Sequence, residues 1–382
     1  MIKSYNIIIA GAGGIASAVA LMLAEWSDTK QNIFIGNRTL KKAQKIVKWV
    51  KNGTTKSCSI IAFHLPEEGV PNRMKNILIK GDILLDCLPG SMAPKLAKLA
   101  KDFHLHYANL TEYVAETNKI MELAKNADTG FILQTGLAPG YINVLGHYLF
   151  QNFCKDFKVK KVDKLELKVG ALTDYAVEPY YYTFTWNPAG VATEYLKDTI
   201  VIRDFKKTVL PALSEKTTVI IDGVTYEDDL TSGGAADLPD LLEGKVRSLN
   251  YKTLRYPGHY SWVGQQIKSL KDSANLIKDL QKRMEESIPH VENDLVVLYA
   301  AVEGKDVNGV LRRRETVKKI KPKSVGKQKL RAIQLTTAAP LLQSAQQLLE
   351  IPKKGVVLQG QLETEQFLNG HFVKTVYGET LV

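Results

Sequence analysis

A glycine corner near the N-terminus decides what the first third of this chain can become. An unbroken apolar run at residues 7–9 leads directly into Gly11-Ala12-Gly13-Gly14-Ile15-Ala16. The hydrophobic period then changes, with Ile15, Val19, Met22/Leu23 and Trp26 recurring at helical spacing. A buried strand, a tight turn and a helix satisfy both halves. The rival is a signal-peptide core or short membrane span over residues 6–24. It would put three glycines inside a helix, with only Lys3 ahead of it, so it is set aside. The corner fits the GxGxxA variant of the dinucleotide fingerprint. Gly11 permits the turn, and Gly13 leaves room for a pyrophosphate beside the N–H groups of Gly14 and Ile15. Small Ala16 lets the helix approach the sheet, and the positive end of the helix dipole faces the phosphates.

About 20 residues on, where a carboxylate would accept hydrogen bonds from the adenosine ribose, stand Gly36-Asn37-Arg38-Thr39. Asn37 is neutral and does not repel a 2′-phosphate, Arg38 offers a planar fork, and Thr39 can donate. The expected cofactor is NADP(H), with NAD(H) second. The rival reading makes Asn37 the cap of the next helix and Arg38 a solvated side chain. Further strands are read at residues 32–35, 57–63, 82–86, 106–109 and 130–134, with helices at about 39–51, 92–101 and 116–126. Such alternation makes a parallel sheet covered by helices on both faces. Leu88 and Pro89, after the fourth strand, fall where the nicotinamide half of a dinucleotide is expected.

From about 160 to 262 the strands become β-branched and aromatic, separated by Gly, Pro and Asp turns, which reads as a second, mostly antiparallel sheet. Helix is expected at about 264–286, a hairpin over 295–317, a helix at 330–350 and a peripheral tail at 351–382. The fold class is therefore α/β: an N-terminal Rossmann doubly wound parallel sheet plus a second α+β domain with a mixed, mostly antiparallel sheet. The domains are placed at 1–135 (with helix 330–350 packing back), 136–329, and a C-terminal extension at 351–382.

Charge and cysteine content exclude some classes. The net charge is +11, but residues 312–331 hold ten Lys/Arg and one acid, Glu315, leaving about +2 for the rest. General polyanion binding is therefore not expected, and the segment lacks the interleaved aromatics of single-strand binders. It reads as a solvated hairpin. The three cysteines form neither a disulfide framework nor a CxxC pair, which suits a reducing, cytoplasmic setting. His104 and His106 share one side of a short strand without a third ligand, so no metal site is expected.

Two further segments stand out: Gly136-Leu137-Ala138-Pro139-Gly140, with Pro139 placed for a helix's first turn, and Tyr251-Lys252-Thr253-Leu254-Arg255-Tyr256-Pro257-Gly258-His259. With these on view, the chain resembles the saccharopine dehydrogenase family, most of all its lysine 6-dehydrogenase and saccharopine reductase branch. The likeness runs in order over roughly residues 5–350, through GAGGIA, NRT, DCLPG, GLAPG, TSGG and YKTLRYPGH. It implies a Rossmann domain joined to a substrate and dimerisation domain, and oxidation or reduction of a C–N bond in a lysine-derived amino acid. Two departures are visible: Asn stands at 37 and at 109, where relatives often carry Asp. Ala138 matches the lysine 6-dehydrogenase pattern.

For that chemistry, Arg255 is the candidate clamp for a substrate carboxylate, with Tyr256 beside it. Lys252 assists or accepts the proton, if desolvation lowers its pKa. His259, titrating near neutrality, is the other candidate base. Glu227 and Asp229 are candidates for the substrate's α-ammonium. Each has a plainer rival: Lys252 and Arg255 as a salt-bridged surface strand, His259 as a core histidine bonded to backbone. The expected partners are a small amino-acid substrate and a second copy in a homodimer, with neither nucleic acid nor membrane. The competing functions are a reductase joining an amine to a semialdehyde in polyamine precursor synthesis, and a non-catalytic NADP(H) sensor.

Overall fold

The apolar run before the glycines becomes β1 (Ser4–Ala10), and the segment after them becomes α1 (Gly14–Trp26). Residues 18–24 of α1 are all buried, which is why this stretch shows no polar face. The computed structural model describes residues 4–380. Alternation continues through β2 (Lys30–Asn37), α2 (Leu40–Gly53), β3 (Ser59–His64), α3 (Asn72–Lys80) and β4 (Ile83–Asp86). Then come α4 (Ala93–Asp102), β5 (His106–Asn109), α5 (Val114–Ala124) and β6 (Gly130–Ile132). On α2 the buried positions are Ala43, Ile46, Val50 and Gly53, a helical stripe under a lysine-rich outer face. Helix α3 has no counterpart in the sequence reading. It is only nine residues long, and its apolar face reduces to Met74, Ile77 and Leu78.

The next stretch begins with α6 (Tyr141–Asp156), then β7 (Val162–Leu172), α7 (Pro188–Leu196), β8 (Thr199–Arg203), β9 (Lys206–Leu210) and β10 (Thr217–Ile221). It continues with β11 (Val224–Leu230), α8 (Leu238–Leu242), β12 (Val246–Arg255), α9 (His259–Ser269), α10 (Leu276–Ser287), β13 (Leu295–Lys305) and β14 (Leu311–Ile320). These strands make one sheet in the order β10-β11-β12-β7-β13-β14, with β8 on β12 and β9 on β8. Only the β12–β7 pair is parallel. The single helix expected at 264–286 is two, because Asn275 caps a new start by accepting from Lys278 N–H at 3.2 Å. The helix after the GLAPG turn starts at Tyr141, whose N–H donates to Gly136 O at 2.9 Å. Pro139 therefore lies in the turn, not in the helix.

Residues 323–380 supply β15 (Lys323–Val325), β16 (Gln328–Leu330), α11 (Ala332–Glu350), β17 (Gly355–Val357), α12 (Thr364–Leu368) and α13 (His371–Tyr377). Strand β17 pairs in parallel with β6 and completes a seven-stranded, all-parallel sheet ordered β17-β6-β5-β4-β1-β2-β3. The tail expected to be peripheral thus carries an edge strand and buries Phe367, Phe372 and Tyr377. Two compact units result: residues 4–141, 323–330 and 334–380, and residues 142–322 with 331–333. The core of the first is built by residues such as Ile8, Phe63, Leu84, Tyr107 and Phe131. The second has an aromatic cluster around Tyr182, Phe184, Tyr195, Tyr260 and Trp262. The fold class matches the sequence reading: a doubly wound parallel sheet and a mixed, mostly antiparallel one.

The basic segment opens on the second, largely exposed strand of the expected hairpin, and several of its charges are paired as well as solvated. Its residues 312–320 lie in strand β14, which is paired along ten residues with β13. Among the described residues, at least six of its ten cations meet acids of the same unit. Arg312 pairs with Asp306 at 2.9 Å, Arg314 with Asp156 at 2.7 Å, Lys319 with Asp222 at 3.2 Å and Lys321 with Asp174 at 3.4 Å. Arg331 reaches Glu292 at 4.0 Å, and Arg313 sits among Glu166, Glu303 and Glu315. Among the described residues no helix is long and apolar enough to cross a membrane.

Candidate active site and nucleotide site

In the first unit the glycine corner has the open geometry a pyrophosphate needs. Gly11 sits at φ +127, and a Cβ there would lie 2.9 Å from Cys87 O. The close approach is fixed by Cys87 N–H donating to Ala10 O at 2.9 Å and Gly11 N–H donating to Gly36 O at 2.8 Å. A Cβ on Gly13 would meet nothing within 4 Å. Gly13 and Gly14 are exposed, Ile15 is half-buried and Ala16 is buried against the sheet. No side chain caps the first turn of α1 and no acidic residue stands in it, so its N–H groups remain for an anion. The corner therefore fits a dinucleotide diphosphate.

At the end of β2, Asn37 is buried and turns its Nδ2 back to donate to Thr39 O at 3.2 Å. The residue at the N-cap of α2 is Thr39, so Asn37 is not the cap. Arg38 is exposed and ion-paired with Glu67 from the loop after β3. Beyond β4, the Leu88 N–H donates to Asp86 Oδ1 at 2.9 Å, and Pro89 is exposed. Tyr107 OH donates to Asp86 Oδ2 at 2.7 Å. Burial pushes the Asp86 carboxyl up to about 7, despite both donors. Asn109 is fully buried and ties strand ends together, its Oδ1 accepting from Gln134 N–H at 2.9 Å.

In the second unit, β12 ends in Arg255, only 1% exposed. Its Nε donates to Tyr195 OH at 2.7 Å and its Nη1 to Leu254 O at 2.9 Å. The guanidinium lies 4.6 Å from the Tyr182 ring centroid and 5.6 Å from that of Tyr195. Among the described residues no carboxylate stands within ion-pair distance and Nη2 makes no hydrogen bond. Glu194, on α7, also acts on the guanidinium through its field.

His259 is fully buried beside this cation. Nδ1 lies 2.7 Å from Tyr180 O, a pure acceptor, so Nδ1 carries the hydrogen and Nε2 accepts from Tyr195 OH at 2.9 Å. A directional chain results, from Arg255 Nε–H to Tyr195 O–H to His259 Nε2. Burial, and then the Arg255 charge, push His259 down to about 3. The expectation that it titrates near neutrality is corrected: it is a neutral acceptor at physiological pH.

Lys252 lies elsewhere. Its Nζ donates to Thr217 Oγ1 at 3.3 Å, to Asp228 Oδ1 at 3.0 Å and to Glu215 O. These three acceptors tie Lys252, on β12, to β11, to the first residue of β10 and to the segment before it. Lys168, its register neighbour on β7, meets the other oxygen of Asp228. Strand alternation puts Asp228 on the face opposite Glu227 and Asp229, and this separates three adjacent acids into three roles. Glu227 pairs with Lys216 at 3.1 Å and accepts from Gly258 N–H at 3.3 Å, holding the turn before α9. Asp229 accepts from the N–H groups of Glu215 at 2.9 Å and Leu230 at 2.8 Å. Tyr256 stacks on Tyr226 with centroids 5.6 Å apart, and burial pushes its hydroxyl up to about 12. The structure thus brings Arg255 and His259 together and gives Lys252, Glu227, Asp229 and Tyr256 separate surroundings. Tyr182, Tyr195, Asp86 and Glu67 carry no role in the sequence reading. Each acts through a partner 21 to 73 residues away, beyond the reach of any local motif.

A seven-stranded parallel sheet with an open glycine corner, followed by a mixed sheet carrying a buried guanidinium, defines a two-unit protein of the nucleotide-binding dehydrogenase class. The chain belongs to the saccharopine dehydrogenase family: residues 7–132 match its NADP binding domain and residues 136–375 its C-terminal domain. Among curated proteins it is 24% identical over 217 residues to an alpha-aminoadipic semialdehyde synthase of Arabidopsis thaliana, covering 50% of this chain and 19% of that one. It is 36% identical over 93 residues to a shikimate dehydrogenase (NADP(+)) of Halothermothrix orenii, covering 24% of this chain and 30% of the relative. The chain thus spans less than a third of either relative's length. Among solved structures it resembles apo saccharopine dehydrogenase (L-Glu forming) of Saccharomyces cerevisiae, with TM-score 0.76, 16% identity and 98% of each chain covered. It also resembles a homospermidine synthase of Legionella pneumophila in complex with NAD, with TM-score 0.64, 13% identity, and 99% and 91% covered. At these identities the two likenesses show the fold alone.

Proposed function

We propose that this protein is an NAD(P)-dependent oxidoreductase acting on the C–N bond of a lysine-derived amino acid, in the manner of a saccharopine or lysine 6-dehydrogenase. The observation that carries the reading is Arg255: a buried cation that, among the described residues, has no carboxylate paired to it and one nitrogen unused. A guanidinium so placed is costly to bury unless an anion completes it, and a planar carboxylate matches its fork. The bound nicotinamide would supply hydride acceptance or donation. Gly11, Gly13 and the first turn of α1 would hold the diphosphate, and Arg38 and Thr39 the ribose 2′-phosphate where NADP(H) is used. Tyr195 orients Arg255, and neutral His259 fixes the direction of the tyrosine hydrogen. This makes Tyr195 and His259 positioning residues, and the proton acceptor is not among them.

One rival compatible with the same fold is a reductase that joins an amine to a semialdehyde. Arg255 separates the two, since a diamine brings no carboxylate to it. The test follows reduced-nicotinamide absorbance with both cofactors. Lysine and saccharopine are offered in oxidation, and aminoadipate semialdehyde with ammonia, glutamate or diamines in reduction. Turnover with a carboxylate-bearing substrate, lost in Arg255→Lys while NADPH still binds, supports the proposal. Turnover with diamines alone refutes it, and binding without any turnover leaves the sensor reading. The proposal extends to a homodimer, checked by light scattering after gel filtration.

A further inference from the structure

The end of β2 lacks the carboxylate that accepts hydrogen bonds from an adenosine ribose, and Asn37 stands there instead. The fold brings a carboxylate back from another element. After β3 the backbone runs on beside β2, with Leu65 N–H donating to Asn37 O at 3.1 Å. Two residues later Glu67 reaches Arg38 and pairs with Nη1 through Oε1 alone. Among the described residues its Oε2 makes no hydrogen bond. The two side chains are 73% and 58% exposed, so burial does not lock the pair and water can replace either partner.

We infer that Glu67 is the cofactor-selectivity residue of this site, a competitor for Arg38 that lets one pocket take both NAD(H) and NADP(H). The inference rests on the nucleotide reading above. With NAD(H), Arg38 stays on Glu67, whose free oxygen accepts a ribose hydroxyl. With NADP(H), Arg38 leaves Glu67 for the 2′-phosphate, and the carboxylate is left facing a group of the same sign. Lys41 and Lys42, at the start of α2, offset part of that repulsion. NADP(H) must therefore break an ion pair that NAD(H) keeps. A like charge a few ångströms from a phosphate in near-aqueous surroundings weakens binding by about five- to tenfold.

Dissociation constants for NADPH and NADH, read from nicotinamide fluorescence on the full chain, test this with Glu67→Gln and Glu67→Ala. NADPH tightens by about five- to tenfold in Glu67→Gln and NADH does not, so the ratio of the two constants moves toward NADPH. Glu67→Ala moves it the same way. Equal shifts for the two cofactors, or weaker NADPH binding, overturn the inference. Weaker NADPH would mean that Glu67 holds Arg38 ready for phosphate. If the unsubstituted protein binds neither cofactor, the nucleotide reading falls along with it. Binding with an unchanged ratio removes only the role of Glu67.

Discussion

Asp228→Asn isolates what the buried charges of the second sheet contribute. The Asp228 side chain is 0% exposed and touches two ammonium groups, Lys168 and Lys252, each with 6% side-chain exposure. The change removes the negative charge and almost no volume, so cavity effects drop out. Two facing lysines on β7 and β12 are left with Glu166, 3.6 Å from Lys168, as the remaining carboxylate partner among the described residues. Breaking a buried pair in this way costs about 3–5 kcal/mol. At roughly 2–4 °C per kcal/mol for a unit of this size, the melting transition of the second unit drops by about 10 °C. Scanning calorimetry reads it. The pH dependence is a second check. Burial pushes the Asp228 carboxyl up, but Lys168, Thr217 and Lys252 more than reverse this, leaving it below its usual range. A depressed carboxylate gives stability that is present above the unfolded value near 3.8 and is lost as pH falls through the folded one. Asp228→Asn should flatten that acid limb. A drop under about 2 °C with an unchanged acid limb refutes the reasoning, and Lys252 would then be free for another role.

Three further outcomes are expected. Gly13→Ala leaves the melting temperature of the free protein unchanged, because its Cβ meets nothing, yet weakens cofactor binding at least about tenfold by filling the diphosphate's space; titration calorimetry checks it. Tyr195→Phe takes the acceptor from Arg255 Nε and the donor from His259 Nε2, so KM for a carboxylate-bearing substrate rises about tenfold while NADPH affinity holds, measured by steady-state kinetics. Asp86→Asn raises stability at pH 8 but not at pH 4, seen in denaturant titrations. A raised carboxyl gives stability that is full below about 3.8 and lost as pH climbs through about 7, at most about 4 kcal/mol here. The Asn oxygen still accepts from Leu88 N–H, and Tyr107 OH can donate to Ala93 O at 3.2 Å.

Local pattern alone determined six of the seven strands of the first sheet, and only the tertiary structure brought the seventh, β17, to its edge. An apolar run, three glycines and a helical period leave one geometry, since only a strand, a turn and a helix bury that run while keeping the corner bare. The basic run at 312–331 shows the limit of such reading. Its composition suggested solvated charge, and much of it is exposed, but Asp156 from a helix end, Glu166 from a strand and Asp174 and Asp222 from loops come to it as partners. Likewise Lys252, Arg255 and His259, eight residues from end to end, looked like one cluster. Tertiary contacts divided them, giving Lys252 to Asp228 and Arg255 with His259 to Tyr195. Whether a side chain is a base, a clamp or a structural ion depends on dielectric and partners. Those are set by residues far along the chain, which no local spacing encodes.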